Sequence, residues 1–294
     1  MRTYLLSLLC LLLSATVVSA QGIQVEFGKN RVQYHDDFAE WSQYESDNFV
    51  TYWYGEGRYI GQAVVQLAEY DFQEIQNVLE HRINEKIQII VYTDLTDVKQ
   101  SNIGSEDTFV NNAGQTKIVG NKVFVYFDGN HGNLRKQVRE GIASVYLNAM
   151  LFGSNIQEIV QNAVMMNLPV WFKEGLVGYV GERWNTELDN QLRDYILSDE
   201  FEGFELLAER DPKLAGHSLW HFIGQQYGKS QVSNLLYLTR INRSIENGFL
   251  YVMGMPYERV GLDWAVFYKD RYSVEEQRRD TLSSAPLAIK NKRN

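Results

Sequence analysis

The chain has 294 residues, of which 45% are hydrophobic and 13% aromatic, which is enough apolar material to bury a large core. Its 37 acidic and 28 basic residues give a formal net charge of −9, so its charge does not favour nucleic acid or an anionic membrane surface as a partner. The single cysteine, Cys10, lies in an apolar N-terminal run. Disulfides, cysteine metal sites and cysteine nucleophiles are therefore excluded from the rest of the chain.

Residues 1–20 have the pattern of a secretion signal. Arg2 supplies an early positive charge, an apolar run extends from Tyr4 to Leu13, and small residues precede Gln21. The alternative, a transmembrane anchor, requires about 20 unbroken apolar residues, and residues 14–20 are too small and polar to complete that length. We therefore expect cleavage after residue 20, export to the periplasm, the cell envelope or the extracellular space, and no transmembrane helix in the mature protein.

The first part of the mature chain contains the strand signals. Residues 49–54 are β-branched and aromatic, and residues 87–92 form a short apolar run, so both segments are predicted to be strands. Between them, apolar residues recur at intervals of three and four from Ile60 to Leu79, which predicts one long amphipathic helix. A third strand is predicted at residues 122–127, before the turn sequence 128–130.

After His131 the strand signals nearly vanish. Successive segments have helical periodicity: 132–151, 155–166, 169–181, 186–198, 214–227, 229–240 and 256–271. The predicted class is α+β, with a small N-terminal sheet and a long helix followed by a mostly helical C-terminal lobe. We place the N-terminal lobe at 21–130, the helical lobe at 131–272 and a flexible tail at 273–294, because the tail is charged and lacks periodicity.

The most informative motif is Trp171-Phe172-Lys173-Glu174-Gly175-Leu176-Val177-Gly178-Tyr179, preceded by Leu168-Pro169. It resembles the second zinc-ligand helix of the gluzincin metallopeptidases, in particular the peptidase MA-like family. In that family a Leu-Pro-x-Trp-Phe-x-Glu-Gly-Leu-x-x-Tyr run supplies the glutamate ligand, and Glu174 occupies its position. The resemblance implies a thermolysin-like fold and a cleft that contains Trp171, Phe172 and Tyr179.

The preceding helix departs from the family pattern. The family carries His-Glu-x-x-His there, since histidines four residues apart share one helical face and bind one ion, and the glutamate activates water. Here Arg139 and Ala143 stand at the histidine positions, and Glu140 matches the general base. Because alanine has no donor atom and arginine keeps its positive charge, only Glu174 remains as a ligand, and no zinc or other cofactor is expected.

The resemblance extends from about residue 45 to 272. Residues 45–92 resemble the family's opening strand, long helix and second strand, and residues 216–228 resemble a helix that ends in a Tyr-Gly pair. Residues 245–268 follow its closing pair of helices. Each segment is weak alone, but their order along the chain is specific.

Arg139 suggests a replacement for the metal. Its positive charge is expected to pair with Glu174, whose carboxylate would otherwise be buried without a partner. In the alternative interpretation, Arg139 and Glu174 both point into solvent at the rim of a cleft.

Two other histidines are candidate metal ligands outside this site. His217 and His221 are four residues apart, a spacing that allows them to bind a metal from one helical face. A packing role is favoured, because the residue after His217 is not glutamate and the resemblance places this helix beside the site. His131 is predicted to begin a helix.

These observations predict an exported, catalytically inactive metallopeptidase-like domain that binds a protein or peptide in the bacterial cell envelope. One alternative is an active hydrolase or metallopeptidase that uses Glu140 and Glu174 with a non-standard metal site. Another is a structural subunit of an envelope or secretion assembly, in which the helical lobe is a docking surface.

Overall fold

The computed structural model of the protein describes residues 41–93, 95–100, 117–153, 166 and 168–277. The predicted secretion signal, the predicted helix at 155–166 apart from Met166, and residues 278–294 lie outside the described residues. Within the described part of the chain, no helix is both long and apolar enough to cross a membrane.

A mixed sheet forms the N-terminal part of the fold. Its strands are β1 (Trp41–Glu45), β2 (Phe49–Tyr54), β3 (Ile87–Tyr92), β4 (Lys117–Val119) and β5 (Lys122–Tyr126), in the order β1-β2-β3-β5-β4. The central pairs β2–β3 and β3–β5 are parallel, and the two edge pairs are antiparallel. The three predicted strands are confirmed. The edge strands were not predicted, because every residue of β1 is exposed and β4 is very short, so neither has a clear hydrophobic pattern.

The long helix α1 (Arg58–Leu79) connects β2 to β3 and confirms the prediction from its apolar spacing. Side chains alternate across the sheet, so each strand contributes to two faces. On one face, Phe49, Ile89 and Val123 belong to the main hydrophobic core. The other face has a smaller core made of Tyr54, Tyr92, Val98, Phe124 and Tyr126.

The rest of the described chain is mostly helical, which confirms the α+β class. The helices are α2 (Leu95–Gln100), α3 (His131–Phe152), α4 (Val170–Gly181), α5 (Thr186–Ile196), α6 (Phe204–Arg210), α7 (Pro212–Gln226), α8 (Ser230–Asn242), α9 (Ile245–Met253) and α10 (Tyr257–Gln277). Periodicity did not predict the short helices α2 and α6. Helix α10 continues through Gln277, so residues 273–277, which were predicted to begin the flexible tail, are helical.

One continuous hydrophobic core joins the sheet to the helices. It includes Phe49 and Val123 from the sheet and Tyr146 and Trp220 from the helical part. Helix α3 lies at its centre and contacts α1, α4 and β5. The predicted division at residue 130 falls between β5 and α3 along the sequence, and the parts on its two sides share one core.

Helices α4 and α7 pack closely enough for their backbones to touch. A Cβ atom added to Gly175 would lie 2.2 Å from the Cα atom of Gly216, so a side chain at either position would push the helices apart. The indole Nε1 of Trp220 donates to the carbonyl oxygen of Phe172 at 3.2 Å across the same contact. This contact fixes α7, which carries Lys213, against the helix that carries Glu174.

Candidate functional site

Helix α3 carries Arg139, Glu140 and Ala143, the residues that the sequence resemblance aligns with a zinc-binding motif. The Asn130 side chain caps its first turn by accepting hydrogen bonds from the backbone of Gly132 and Asn133, and the helix begins at His131 as predicted. Arg139, Glu140 and Ala143 are all buried, with exposed fractions of 7%, 4% and 0%. These positions therefore lie inside the helical packing and away from the solvent.

The guanidinium of Arg139 joins three helices. Its Nη1 donates to Oδ1 of Asp71 at 2.7 Å and to Oε2 of Glu74 at 3.0 Å, both on α1. Its Nη2 donates to the carbonyl oxygen of Val180 at 2.9 Å, and its Nε donates to that of Gly181 at 3.0 Å. Since these carbonyls end α4, the guanidinium also places a positive charge at the negative end of that helix dipole.

Asp71 is the central anion of this cluster and is fully buried. Arg135 donates to both of its carboxylate oxygens, at 2.8 and 2.6 Å, and Arg139 donates to one of them. Burial alone would raise the pKa of Asp71, but the hydrogen bonds and positive charges of the two arginines outweigh burial and lower the pKa below its ordinary value. Asp71 is thus held as a charged carboxylate.

Glu140, at the general-base position, is paired as well. Lys213 donates from Nζ to Oε1 of Glu140 at 2.7 Å, and Gly181 packs against the Glu140 side chain. Burial raises the pKa of Glu140, although the charges of Lys213 and Lys136 oppose that shift. Lys136 itself pairs with Glu182 at 2.5 Å. Lys136 and Glu140, one turn apart on α3, are thus each paired with a side chain of opposite charge from another part of the chain.

Glu174 lies apart from these charges and is exposed on α4. The predicted pairing of Arg139 with Glu174 is wrong, because the guanidinium of Arg139 is bonded to Asp71, Glu74 and the end of α4. The alternative interpretation was that both side chains point into solvent. Glu174 is exposed, but Arg139 is buried. With a cation at one histidine position, Ala143 at the other and an exposed carboxylate, the donor set does not fit zinc.

Two of the three side chains expected in a cleft lie in the core. Trp171 is 5% exposed and packs on the rings of Phe172, Phe204 and Tyr257, and Phe172 is fully buried against Trp220. Since α4 is apolar around most of its circumference, these rings point into its helical neighbours and do not line an open surface. Tyr179 is partly buried, and burial raises the pKa of its hydroxyl.

His217 and His221 lie on α7 and contact the same indole. The Trp184 ring stacks on His221 with centroids 4.9 Å apart and meets His217 edge to face at 5.3 Å. His217 is 1% exposed. Burial first, and nearby positive charges second, lower the pKa of His217 to about 3 and that of His221 to about 4. Both imidazoles are therefore neutral at neutral pH.

Sequence reasoning did not identify Asp71, Glu74, Arg135 or Lys213. A signal for Asp71 was nevertheless present. The buried positions of α1 recur as Ile60, Val64, Ala68, Asp71, Ile75 and Leu79, so an acidic residue occupies a place on the apolar stripe. A carboxylate at such a place requires a buried cation.

No protein-family model matches the chain, and a search of curated proteins gives no match. The resemblance to the peptidase MA-like family therefore depends on the motifs and on their order along the chain.

Proposed function

We propose that this protein is an exported, non-catalytic relative of the peptidase MA-like gluzincins, with a thermolysin-like order of elements, which binds a protein or peptide partner in the cell envelope. The Leu168-to-Tyr179 motif and the arrangement of a sheet followed by helices support the family. The signal pattern in residues 1–20 supports export.

The observation that carries the proposal is the set of contacts that Arg139 makes. A zinc-binding histidine at this position must direct a free lone pair toward the ion. The guanidinium instead provides four hydrogen bonds to Asp71, Glu74 and two backbone carbonyls. Its charge is thereby used to hold α1, α3 and α4 together, which is a structural role.

The arrangement of the two glutamates argues against the alternative of an active hydrolase. A general base must reach the proton that it removes, directly or through one water. Glu140 is 4% exposed and is engaged by Lys213, whereas Glu174 is on the surface. A pair of working carboxylates would have to face one accessible substrate position.

The partner surface is better placed on the outer face of the helical part than beside Trp171. Large apolar side chains are exposed there: Tyr237, Ile241, Leu250, Tyr251, Leu262 and Val266. Leu262 and Val266 are 61% and 60% exposed and lie one turn apart on α10. Neighbouring exposed apolar side chains are a feature of surfaces that dock on other proteins. They favour a docking surface formed by the helices over a binding cleft beside Trp171.

The catalytic part of the proposal is tested by hydrolysis of a quenched fluorescent peptide library, with and without added zinc. We expect no zinc-dependent cleavage by the wild-type protein. Cleavage that a chelator abolishes and that Glu140→Gln removes, but that the exposed-residue control Glu205→Gln keeps, would overturn the proposal. Thermal unfolding of both variants shows whether they are folded.

The binding part is tested by introducing a photo-crosslinking amino acid in the native host. We expect discrete crosslinked species with the probe at Leu262 or Val266, and none with the probe at Glu56, an exposed residue in the turn before α1. Equal crosslinking from all three positions would place the partner elsewhere.

A further inference from the structure

Two imidazoles outside the Arg139 cluster, one buried (His217) and one partly buried (His221), have unused ligand atoms. His217 and His221 project from successive turns of α7, so their side chains lie on one helical face. The Nε2 atoms of both residues are buried and have no hydrogen-bond partner within the described part of the chain. Buried polar atoms are normally paired, so two such atoms on adjacent turns require an explanation.

The surroundings of the pair are aromatic, with His217 buried and His221, Trp184 and Tyr179 partly buried. Trp184 contacts both imidazoles, the Tyr179 ring meets His217 edge to face at 6.2 Å, and Tyr268 contacts Trp184. Trp184 is fixed in turn, because its Nε1 donates to Asp189 at 2.9 Å. The indole therefore holds the two rings against one rigid surface.

The nearby cations are each balanced by a carboxylate. Lys213 pairs with Glu140 at 2.7 Å, Lys136 with Glu182 at 2.5 Å, and Arg271 with Asp189 at 3.4 Å. The carboxylates offset part of this positive charge, although Lys213, Lys136 and Arg271 still lower the pKa values of the imidazoles. A singly charged metal ion is consequently easier to place there than a doubly charged one, because the cost of burying an ion rises steeply with its charge.

The number of ligands restricts the metal. Among the described residues, no group of three or more His, Cys, Asp or Glu side chains is placed to hold a metal ion. Structural zinc sites have four protein ligands, and catalytic zinc sites have three. Imidazole nitrogen is a ligand that suits copper. Monovalent copper has a filled d shell and forms linear complexes with only two ligands, so it does not require a third side chain.

We propose that His217 and His221 bind one Cu⁺ ion through their Nε2 atoms, beneath the indole of Trp184. This site is separate from the position that zinc occupies in the gluzincins, and it does not require the protein to be an enzyme or to have the proposed partner.

The test is an anaerobic titration of the metal-free protein with Cu⁺ in competition with a chromophoric Cu⁺ chelator. We expect the wild-type protein to withdraw one equivalent of copper and to lose fluorescence as Trp184 is quenched. His217→Gln and His221→Gln should each lose the competition, and His131→Gln, at an exposed histidine, should behave as wild type. No copper withdrawal by the wild-type protein, or equal withdrawal by the double variant His217→Gln/His221→Gln, would overturn the proposal.

A spectroscopic measurement on the wild-type complex does not depend on whether the variants fold. X-ray absorption at the copper edge should show two nitrogen neighbours with the outer-shell scattering of imidazole. Sulfur neighbours would instead indicate binding by methionine and would contradict the site. Neither measurement uses hydrolysis, so the copper site and the proposed loss of catalysis can fail independently.

Discussion

The two clusters of polar side chains beside α3 and α7 differ in how their polar atoms are satisfied. In the Arg139 cluster, the buried Asp71 carboxylate and the buried Arg139 guanidinium bond to each other, and Arg139 also bonds to the carbonyls that end α4. In the His217 cluster, two neutral imidazoles each retain a buried nitrogen that no described residue contacts by a hydrogen bond. The comparison teaches that a buried polar residue at a motif position can be purely structural, whereas residues outside the motif can keep free ligand atoms.

The largest expected effect is that of Arg139→Ala. It leaves Asp71 buried with one cation fewer and the end of α4 without its donor, so we expect a loss of about 3 to 5 kcal/mol in the free energy of unfolding. Denaturant titration at pH 7 measures this loss. Arg183→Ala is the matched control, because Arg183 also pairs with Glu74 but is 82% exposed, and it should cost less than about 1 kcal/mol.

A double variant shows whether the loss arises from the ion pair. Adding Asp71→Asn to Arg139→Ala removes the buried charge that has lost one of its two cations, so the double variant should be more stable than the sum of the two single effects predicts. Strict additivity, or an Arg139→Ala cost as small as that of Arg183→Ala, would show that the cluster does not hold the helices together.

The His217 cluster should instead produce sensitivity to acid. The folded-state pKa values of His217 and His221 are lowered to about 3 and about 4, while an unfolded histidine has a pKa of about 6.5. Below pH 6.5 the unfolded chain binds protons that the folded chain does not, so the stability that is complete above pH 6.5 is lost as pH falls toward 4. Between pH 6.5 and 5.5 we expect a loss of up to about 1 kcal/mol per imidazole, less for the more exposed His221.

Denaturant titrations at several pH values measure this slope. The double variant His217→Gln/His221→Gln should lose less stability than the wild-type protein over the same range, and His131→Gln should reproduce the wild-type slope. Because the pKa of Glu140 is raised, Glu140 increases stability as the pH falls, opposite to the two imidazoles. Both proteins contain Glu140, so the difference between their slopes cancels its contribution. Parallel curves for the wild-type protein and the double variant would show that the imidazoles are not held neutral by the fold.

The pair formed by Glu140 and Lys213 is predicted to respond unequally to removal of its members. Because burial raises the pKa of Glu140, its charged form destabilises the folded state at pH values above its unfolded pKa. Glu140→Gln should therefore change stability by less than about 1 kcal/mol at pH 7. Lys213→Met leaves that charge without its partner and should cost about 1 to 2 kcal/mol, reduced because Lys213 is 37% exposed. Thermal and denaturant unfolding distinguish the two variants, and equal costs would contradict the assignment of Lys213 as the compensating charge.

Local sequence patterns predicted most of the fold because the elements concerned have a strong one-sided signal. The β-branched strand at 49–54 and the apolar stripe of α1 each indicate their structure without knowledge of the remaining chain. The edge strand β1 has no buried side chain, and its position is determined only by pairing with β2. Such an element depends on contacts that a hydrophobic pattern does not report.

The site was harder to predict because motif positions specify neither orientation nor partner. The expectation for Glu174 assumed that its face of α4 points toward Arg139. Because Trp171, Phe172 and Leu176 are all buried and the helix is apolar on several sides, its sequence does not show which face points inward. The partner of Arg139 lies on α1, in a different sequence segment. The one signal in the sequence was Asp71 on the apolar stripe of α1, which requires a buried cation from another element. Arg135 and Arg139 were the candidates for that cation on α3.

The smallest effect on stability is expected at the exposed apolar surface, where the effect on binding should be large. Leu262→Asp combined with Val266→Asp keeps α10 packed through its buried face, since Trp264 and Tyr268 remain in the core, and stability should change by less than about 0.5 kcal/mol. Crosslinking from a probe at Tyr251, which is exposed on α9, should disappear in this variant if α9 and α10 form one docking surface. If the folded variant still crosslinks, α10 is not part of the docking surface, and α8 and α9 are the region to test.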